Sequence, residues 1–352
     1  MYQNIDFIIL GGGLAGCALA LELIQRDATL LLIDTPLAGA ASPIAAGIAN
    51  PVSGKRLTVE PELNEKQSAL RAFSLALEQL SGHKVLSELP QTRYLNAEQS
   101  QNLTKLRTQT RFQQLAIENI PTLGNTAESL AIGNTYRLDI AKTCKLVRNI
   151  LDLNNSRSTT KFDYNELILG DDGIRWRKHK AKKIIFCEGW RGIHNPWFNT
   201  LPFNLNKGQI VKLRYPQSQP NLNNWGQWEL HTGTERWLGA TTERDYQLLE
   251  PDPNGRAALL ESLTHASEHY AINLTSPQET EVIQQFAGVR PATIDRNPFI
   301  GLHLLHPQLG IFNGFGGKGA LHIPRAALAF VDQLLLNITS TDQSRLDYLL
   351  SK

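Results

Sequence analysis

Residues 6–24 read DFIILGGGLAGCALALELI, a nearly continuous apolar stretch broken by four glycines, and no other segment restricts the fold as much. A helix that crosses a membrane needs about 20 apolar residues and does not favour three glycines in a row. This run is shorter and carries Gly11, Gly12, Gly13 and Gly16. A secretory leader would place basic residues ahead of the apolar run, whereas here Asp6 precedes it and the first basic residue is Arg26. The expectation is therefore a cytoplasmic protein without a transmembrane segment.

A strand, a sharp turn and a helix satisfy the same stretch. The segment FIIL (7–10) has the composition of a strand buried on both faces of a parallel sheet. Gly11, Gly13 and Gly16 then stand at the spacing G-x-G-x-x-G, and LAGCALALELIQR continues as a helix. The first glycine permits the tight turn, the second lets a pyrophosphate approach the backbone, and the third lets helix and strand pack closely. The helix N-terminus offers amides and a positive dipole end to phosphate. After the helix, TLLLID reads as a second parallel strand ending in Asp34. An acid about 20 residues beyond the glycines suits the ribose hydroxyls of an adenosine, and its charge disfavours a 2′-phosphate such as that of NADP. A glycine-rich turn without a ligand is the alternative, and it leaves the acid unexplained. Asp27 stands where such units often end the helix with glycine, a left-handed position that Asp tolerates at some cost.

A length of 352 residues suggests two domains or one two-lobed unit. The 35 Lys and Arg against 33 Asp and Glu give no general attraction to nucleic acid or anionic membrane, so nucleic acid is not expected as a partner. The local exception, RWRKHKAKK (175–183), reads as the solvated flank of an apolar strand. Cys17, Cys144 and Cys187 are too few and too scattered for a disulfide framework or a zinc site and read as small buried hydrophobes. His265 and His269 could share a helix face, but with no third ligand they read as surface residues, and no metal is expected.

Three later regions extend the pattern. ASPIAAGIANPVSGKR (41–56) is rich in small residues without a clear period, as a backbone threaded past a flat ligand would be. YRLDIAKTCKLVRNIL reads as an amphipathic helix, followed by LILG, a turn at Asp171–Asp172–Gly173, IRWR, and a parallel strand in KIIFCEGWRG ending at Gly189. LGIFNG (309–314) is a strand leading into FGGKG and a helix from about Ala320 to Leu336, a second strand–glycine-loop–helix unit.

With these segments in order, joined by GVRPATIDRNPFIG (288–301), the chain resembles the D-amino-acid oxidase and glycine oxidase (DAO) family of FAD-dependent oxidoreductases over essentially its whole length. It is also similar to the flavin-dependent half of the bifunctional enzyme that modifies the wobble uridine of tRNA. The resemblance implies an α/β fold, with a Rossmann-like FAD-binding domain built on a parallel central sheet over 1–84, 135–202 and 285–352. An antiparallel-sheet substrate domain would take 85–134 and 203–284, and the β-rich segments GQIVKLRY, GQWELHT and RWLGATTE agree with it.

The resemblance also implies roles for particular residues. Gly11, Gly13, Leu14, Ala15 and Gly16 would hold the FAD pyrophosphate and Asp34 the adenosine ribose. Ser42, Ala45, Ala46, Gly47 and Ile48 would line the flavin and ribityl side, with Gly189 beside the cofactor. Gly314, Gly316, Gly317, Lys318 and Gly319 would reach the pyrimidine edge of the flavin, where amides and a lysine stabilise the charge of the reduced ring. Alternatively, Lys318 faces water at the start of a helix. In amino-acid-oxidising relatives an arginine at the position of Arg290 clamps the substrate carboxylate, a task its planar fork suits. The alternative is a structural arginine bonded to carbonyls near Pro291, with Arg296 paired to Asp295 or to a loop carbonyl.

The expected activity is oxidation of a small amino acid or secondary amine by hydride transfer from its α-carbon to flavin N5. Oxygen or a quinone would take the electrons. No cysteine lies near GFGGKG, so FAD is expected to be non-covalent. Oxidation of an aminomethyl group on tRNA and a non-catalytic FAD-binding role are the other readings. Glu188 departs from the family pattern, which has a small residue there. Tyr215, Trp228, His231, Trp237 and Tyr246 are candidate walls of the substrate pocket, and any of them could equally be core.

Overall fold

The computed structural model describes residues 2–113, 115–120, 128–214, 219–233, 235–244, 248–270, 281–336, 338 and 340–351. The first strand, β1 (Gln3–Leu10), leads into helix α1 (Leu14–Ile24) and strand β2 (Leu30–Ile33). β1 pairs in parallel with β2, placing Ile8 opposite Leu31, and on its other edge with His179–Phe186, placing Ile8 opposite Ile184. The chain leaves α1 through Asp27 at φ 56°, the left-handed conformation expected of it.

His179–Phe186 continues the parallel sheet to Leu309–Asn313, whose outer neighbour Phe299–Leu302 is antiparallel. The hairpin of Leu167–Gly170 and Gly173–Trp176 completes this eight-stranded sheet beside the start of His179–Phe186. Half of its basic flank is paired, Arg177 with Glu166, Lys180 with Asp172 and Lys182 with Asp6.

Both faces of the sheet are covered. On one side Ile9 and Leu32 pack against α1 and the helices Leu63–Ser81, Ile140–Leu153 and Gly319–Leu336. Ile140–Leu153 is shorter than its sequence pattern suggested, because Tyr136–Leu138 is a strand and the Asp139 side chain caps the helix. On the other side Ile8 and Leu31 pack with Trp176, Phe186, Phe198 and Phe299. The three cysteines are buried and free.

A second eight-stranded sheet runs in the order Val282–Arg290, Asn206–Arg214, Glu235–Gly239, Trp228–His231, Asn221–Asn224, Gln91–Tyr94, Ser129–Ile132, Ile117–Ile120. It is antiparallel except between Asn221–Asn224 and Gln91–Tyr94. Its edge strand Val282–Arg290 spans the junction placed at 284/285 and ends at Arg290, which pairs with Asn206 of the neighbouring strand. The two units touch where Ala40 bridges Val289 and Phe203 bridges Thr293. Among the described residues no helix is long and apolar enough to cross a membrane.

Candidate functional site

A cavity of about 830 Å3 runs from the C-terminal ends of β1 and β2 to the inner face of the second sheet. It lies within the range of roughly 300–1,000 Å3 typical of small-molecule and cofactor sites. One end is the turn after β1. Gly11 sits at φ 107°, and a Cβ there would run into the carbonyl of Cys187. A Cβ on Gly16 would meet the Gly11 carbonyl, so this glycine serves helix–strand contact and stands behind the cavity wall. Gly11, Gly13, Leu14 and Ala15 line the cavity itself. No side chain caps the N-terminus of α1 through Gly13, and Ser42 Oγ accepts from the Leu14 amide at 3.0 Å.

Asp34 lies at the same end. Its Oδ1 accepts from the Gly12 amide at 2.9 Å, and its Oδ2 faces Arg148 Nε at 3.2 Å. Arg148 also donates to the Gly12 carbonyl, at 2.6 Å from its second terminal nitrogen. Sequence reasoning missed this arginine. It occupies the more polar side of an ordinary amphipathic helix, and only the packing of Ile140–Leu153 on α1 brings it to the turn. Arg157, Lys161 and Tyr164 extend the wall beyond Asp34.

Along the cavity, Ser42, Ala45, Ala46, Gly47 and Ile48 line one side, and Gly189, Gly316, Gly317 and Gly319 the other. Gly47 has φ 75°, and a side chain there would strike the Leu138 carbonyl. Gly314 stands off the wall, turned towards Thr293 and Phe299 at φ 90°. Lys318 is also absent from the wall, although its neighbours Gly317 and Gly319 line it. Its Nζ donates to Glu60 Oε2 at 2.8 Å, while Lys66 and His322 reach Glu60 Oε1 at 2.8 Å. Glu60 is buried and burial alone would raise its pKa, but His322, Lys318 and Lys66 hold it well below the usual carboxylate range. Lys318 stands exposed at the start of the helix Gly319–Leu336, as in the second reading, with its ammonium paired to the buried Glu60.

Arg290 lines the far end. One terminal nitrogen donates to Asn206 Oδ1 at 2.9 Å, and both donate to the Thr241 carbonyl at 3.2 Å. These acceptors are neutral, and among the described residues no carboxylate forms an ion pair with it. Burial lowers its pKa, with the more distant Glu243 acting the other way. The guanidinium lies flat across Gly208, where any Cβ would collide with it. Arg296 is exposed at φ 66°, and Asp295 pairs instead with Arg345 of the C-terminal helix, in a two-pronged contact with both bonds at 2.8 Å.

Of the candidate pocket walls, Trp228 lines the cavity and covers Gly239. His231 turns to the buried Glu229, and Trp237 carries Lys212 over its ring at 4.1 Å, so neither reaches the cavity. Tyr215 and Tyr246 lie outside the described residues. Exposed His265 and His269 stack on each other with 5.5 Å between ring centres, and no metal-binding cluster occurs among the described residues.

Glu188 also lies on the wall. Its Oε1 accepts from the Tyr164 hydroxyl and its Oε2 from Asn195 Nδ2 at 2.7 Å. Burial raises its pKa to about 7, against the lowering effect of those two donors and of Arg191.

A long cavity with a glycine-started helix N-terminus, a glycine cradle and an acid at the end of β2 fits a flavin dinucleotide. The structure of glycine oxidase from Geobacillus kaustophilus is similar, with a TM-score of 0.80 at 17% identity over 99% of this chain and 98% of that one. Iminodiacetate oxidase from Chelativorans sp. BNC1 has a TM-score of 0.76 at 19% identity over 96% of each chain. L-proline dehydrogenase from P. horikoshii also reaches 0.76, at 12% identity over 99% of this chain and 97% of that one. At such identities the likeness establishes the fold. The family model described as FAD dependent oxidoreductase matches residues 6–333, and with the cavity it accounts for, the chain belongs to this family of FAD-dependent enzymes.

Proposed function

We propose that the protein oxidises a small amino acid or secondary amine that carries a carboxylate. The observation that carries this reading is Arg290, an arginine on the cavity wall whose partners are all neutral, so its charge is left for an anionic ligand. When bound, FAD supplies a two-electron acceptor at N5 for the hydride that leaves the substrate α-carbon. Gly11, Gly13, Leu14 and Ala15 would hold its pyrophosphate and Asp34 its ribose, with Ala45 to Ile48 and Gly316, Gly317 and Gly319 along the flavin.

The contribution of the chain is largely positional. Arg290 fixes the carboxylate, and Trp228, Ile210 and Ala240 close an apolar wall that excludes water around the amine. No nucleophile is required, and the imine released is hydrolysed by water. In this reading residues 1–84, 135–202 and 285–352 form the FAD-binding domain, and 85–134 and 203–284 the substrate domain. The similarity to glycine oxidase and iminodiacetate oxidase structures is consistent with amine oxidation.

The test is anaerobic mixing of the purified flavoprotein with amino acids and N-alkyl amino acids. Bleaching of the visible flavin band by one member supports the proposal. A band that no member bleaches removes the amine claim.

A further inference from the structure

The cavity contains one acid that neither cofactor fingerprint nor substrate clamp uses. Glu188 follows Cys187, whose carbonyl lies against Gly11, and the Glu188 Cα would be 3.4 Å from a Cβ on that glycine. Its backbone is thus part of the turn that receives the pyrophosphate. Both carboxyl oxygens are held by neutral donors, the Tyr164 hydroxyl and Asn195 Nδ2. Among the described residues, no cationic side chain forms an ion pair with it.

The surrounding charges are not arranged to keep a carboxylate ionised. Tyr164 comes from the turn Tyr164–Glu166, and burial, followed by the charge of Glu188, pushes its phenol well above its ordinary range. Cys187 lies beneath at the end of the adjoining strand, and burial raises its thiol far above neutrality. Arg191 and His194 stand on the turn Gly189–His194, both exposed, and Arg191 acts on Glu188 only at a distance. Asp34, Arg148, Arg157 and Lys161 share the same cavity. Of these, Asp34 repels a second anion and Arg148 is already turned to Asp34.

We propose that FAD entering the cavity drives the ionised fraction of Glu188 to take up a proton from solvent, so that the protein releases its cofactor more readily as the medium becomes alkaline. An FAD pyrophosphate carries two negative charges, and like charge favours the neutral acid. With its carboxyl already poised near pH 7 by burial, Glu188 is divided between two states in the empty protein and is driven to the protonated one by the cofactor. The protonated acid keeps its contacts, since the phenolic oxygen of Tyr164 can accept as well as donate. By linkage, each unit by which FAD raises this pKa gives about a tenfold increase in Kd between the acidic and alkaline limits.

The experiment dilutes purified holoprotein at pH values from about 6 to about 9 and reads released FAD by its fluorescence, a measurement independent of any substrate. Wild-type Kd should rise about tenfold or more across this range, with the rise starting near the pKa of the empty site. Glu188→Gln imitates the neutral acid, its oxygen facing Asn195 and its amide the Tyr164 oxygen, and its Kd should stay flat at the acidic wild-type value. Tyr164→Phe removes a donor to the carboxylate, so its rise should begin at higher pH. A flat wild-type curve overturns the proposal. So does a rise that survives in Glu188→Gln, which would assign the effect to His194 or another group. If Glu188→Gln does not fold, Tyr164→Phe decides alone, and a midpoint unmoved or moved to lower pH overturns it.

Discussion

Arg290 donates to the side-chain oxygen of Asn206, its partner on the adjoining strand, at 2.9 Å, and its guanidinium lies over Gly208 two residues further along that strand. The guanidinium is oriented without being neutralised, and this distinguishes a ligand clamp from a structural ion pair. Arg290→Leu should therefore leave FAD content unchanged and weaken binding of a carboxylate substrate by about 3 kcal/mol, roughly a hundredfold in KM. Steady-state kinetics on whichever amine bleaches the flavin, with the flavin-to-protein absorbance ratio as control, tests this. Equal loss of flavin and activity would make Arg290 structural.

Arg148 ties the Gly12 carbonyl to Asp34, adding to the direct bond from the Gly12 amide to Asp34 Oδ1. Replacing it with methionine removes charge-assisted bonds worth about 1.5–3 kcal/mol and should raise the FAD Kd by at least about tenfold. The FAD titration that checks this requires no substrate. An unchanged Kd would mean that Gly12 and Asp34 hold their positions without it.

At Gly16, itself buried, any side chain would enter the Gly11 carbonyl. Gly16→Ala should cost about 1–3 kcal/mol of stability by overpacking and, if the displaced turn holds the FAD pyrophosphate as proposed, should lower flavin content at the same time. Thermal melting and the visible spectrum of the same sample measure the two effects together. Loss of stability with full flavin content would separate the packing role from the binding role.

Glu60 binds Lys66, Lys318 and His322 while buried, and its pKa is depressed in the folded state. A depressed carboxylate contributes stability that is fully present above the unfolded pKa of about 4.3 and is lost as pH falls through the lower folded value. Glu60→Gln should accordingly destabilise the protein by about 3 kcal/mol at neutral pH, since Lys66 and Lys318 lose their anion and His322 an acceptor. The gap between variant and wild type should close below about pH 4. Paired melting curves at neutral and acidic pH check the sign, and a gap that widened in acid would contradict it.

The opening βα unit was legible because its requirements are local. Gly11, Gly13, Gly16 and Asp34 are brought together by two strands and the turn and helix between them, and each glycine answers a steric demand that the spacing itself creates. The small-residue segment around Ala45–Ile48 and the loop with Gly316, Gly317 and Gly319 were legible for a similar reason, since backbone passing close to a ligand leaves little room for side chains. Alternation of apolar residues also gave the hairpin ahead of His179–Phe186 and the long helix Gly319–Leu336.

The partners of charged side chains had to wait for the tertiary structure. Arg148 reaches Gly12 across 136 positions, and Lys318 is taken by Glu60 across 258. Asp295 turns to Arg345 and leaves its neighbour Arg296 exposed. Long cationic side chains can reach many acids, and which one they find depends on how helices and sheets pack, information that no local spacing carries. Glu188 shows the division most clearly. The sequence marked it as a departure from the family pattern, but only the packing of Tyr164 and Asn195 around it shows a carboxyl held by neutral donors beside the cofactor turn.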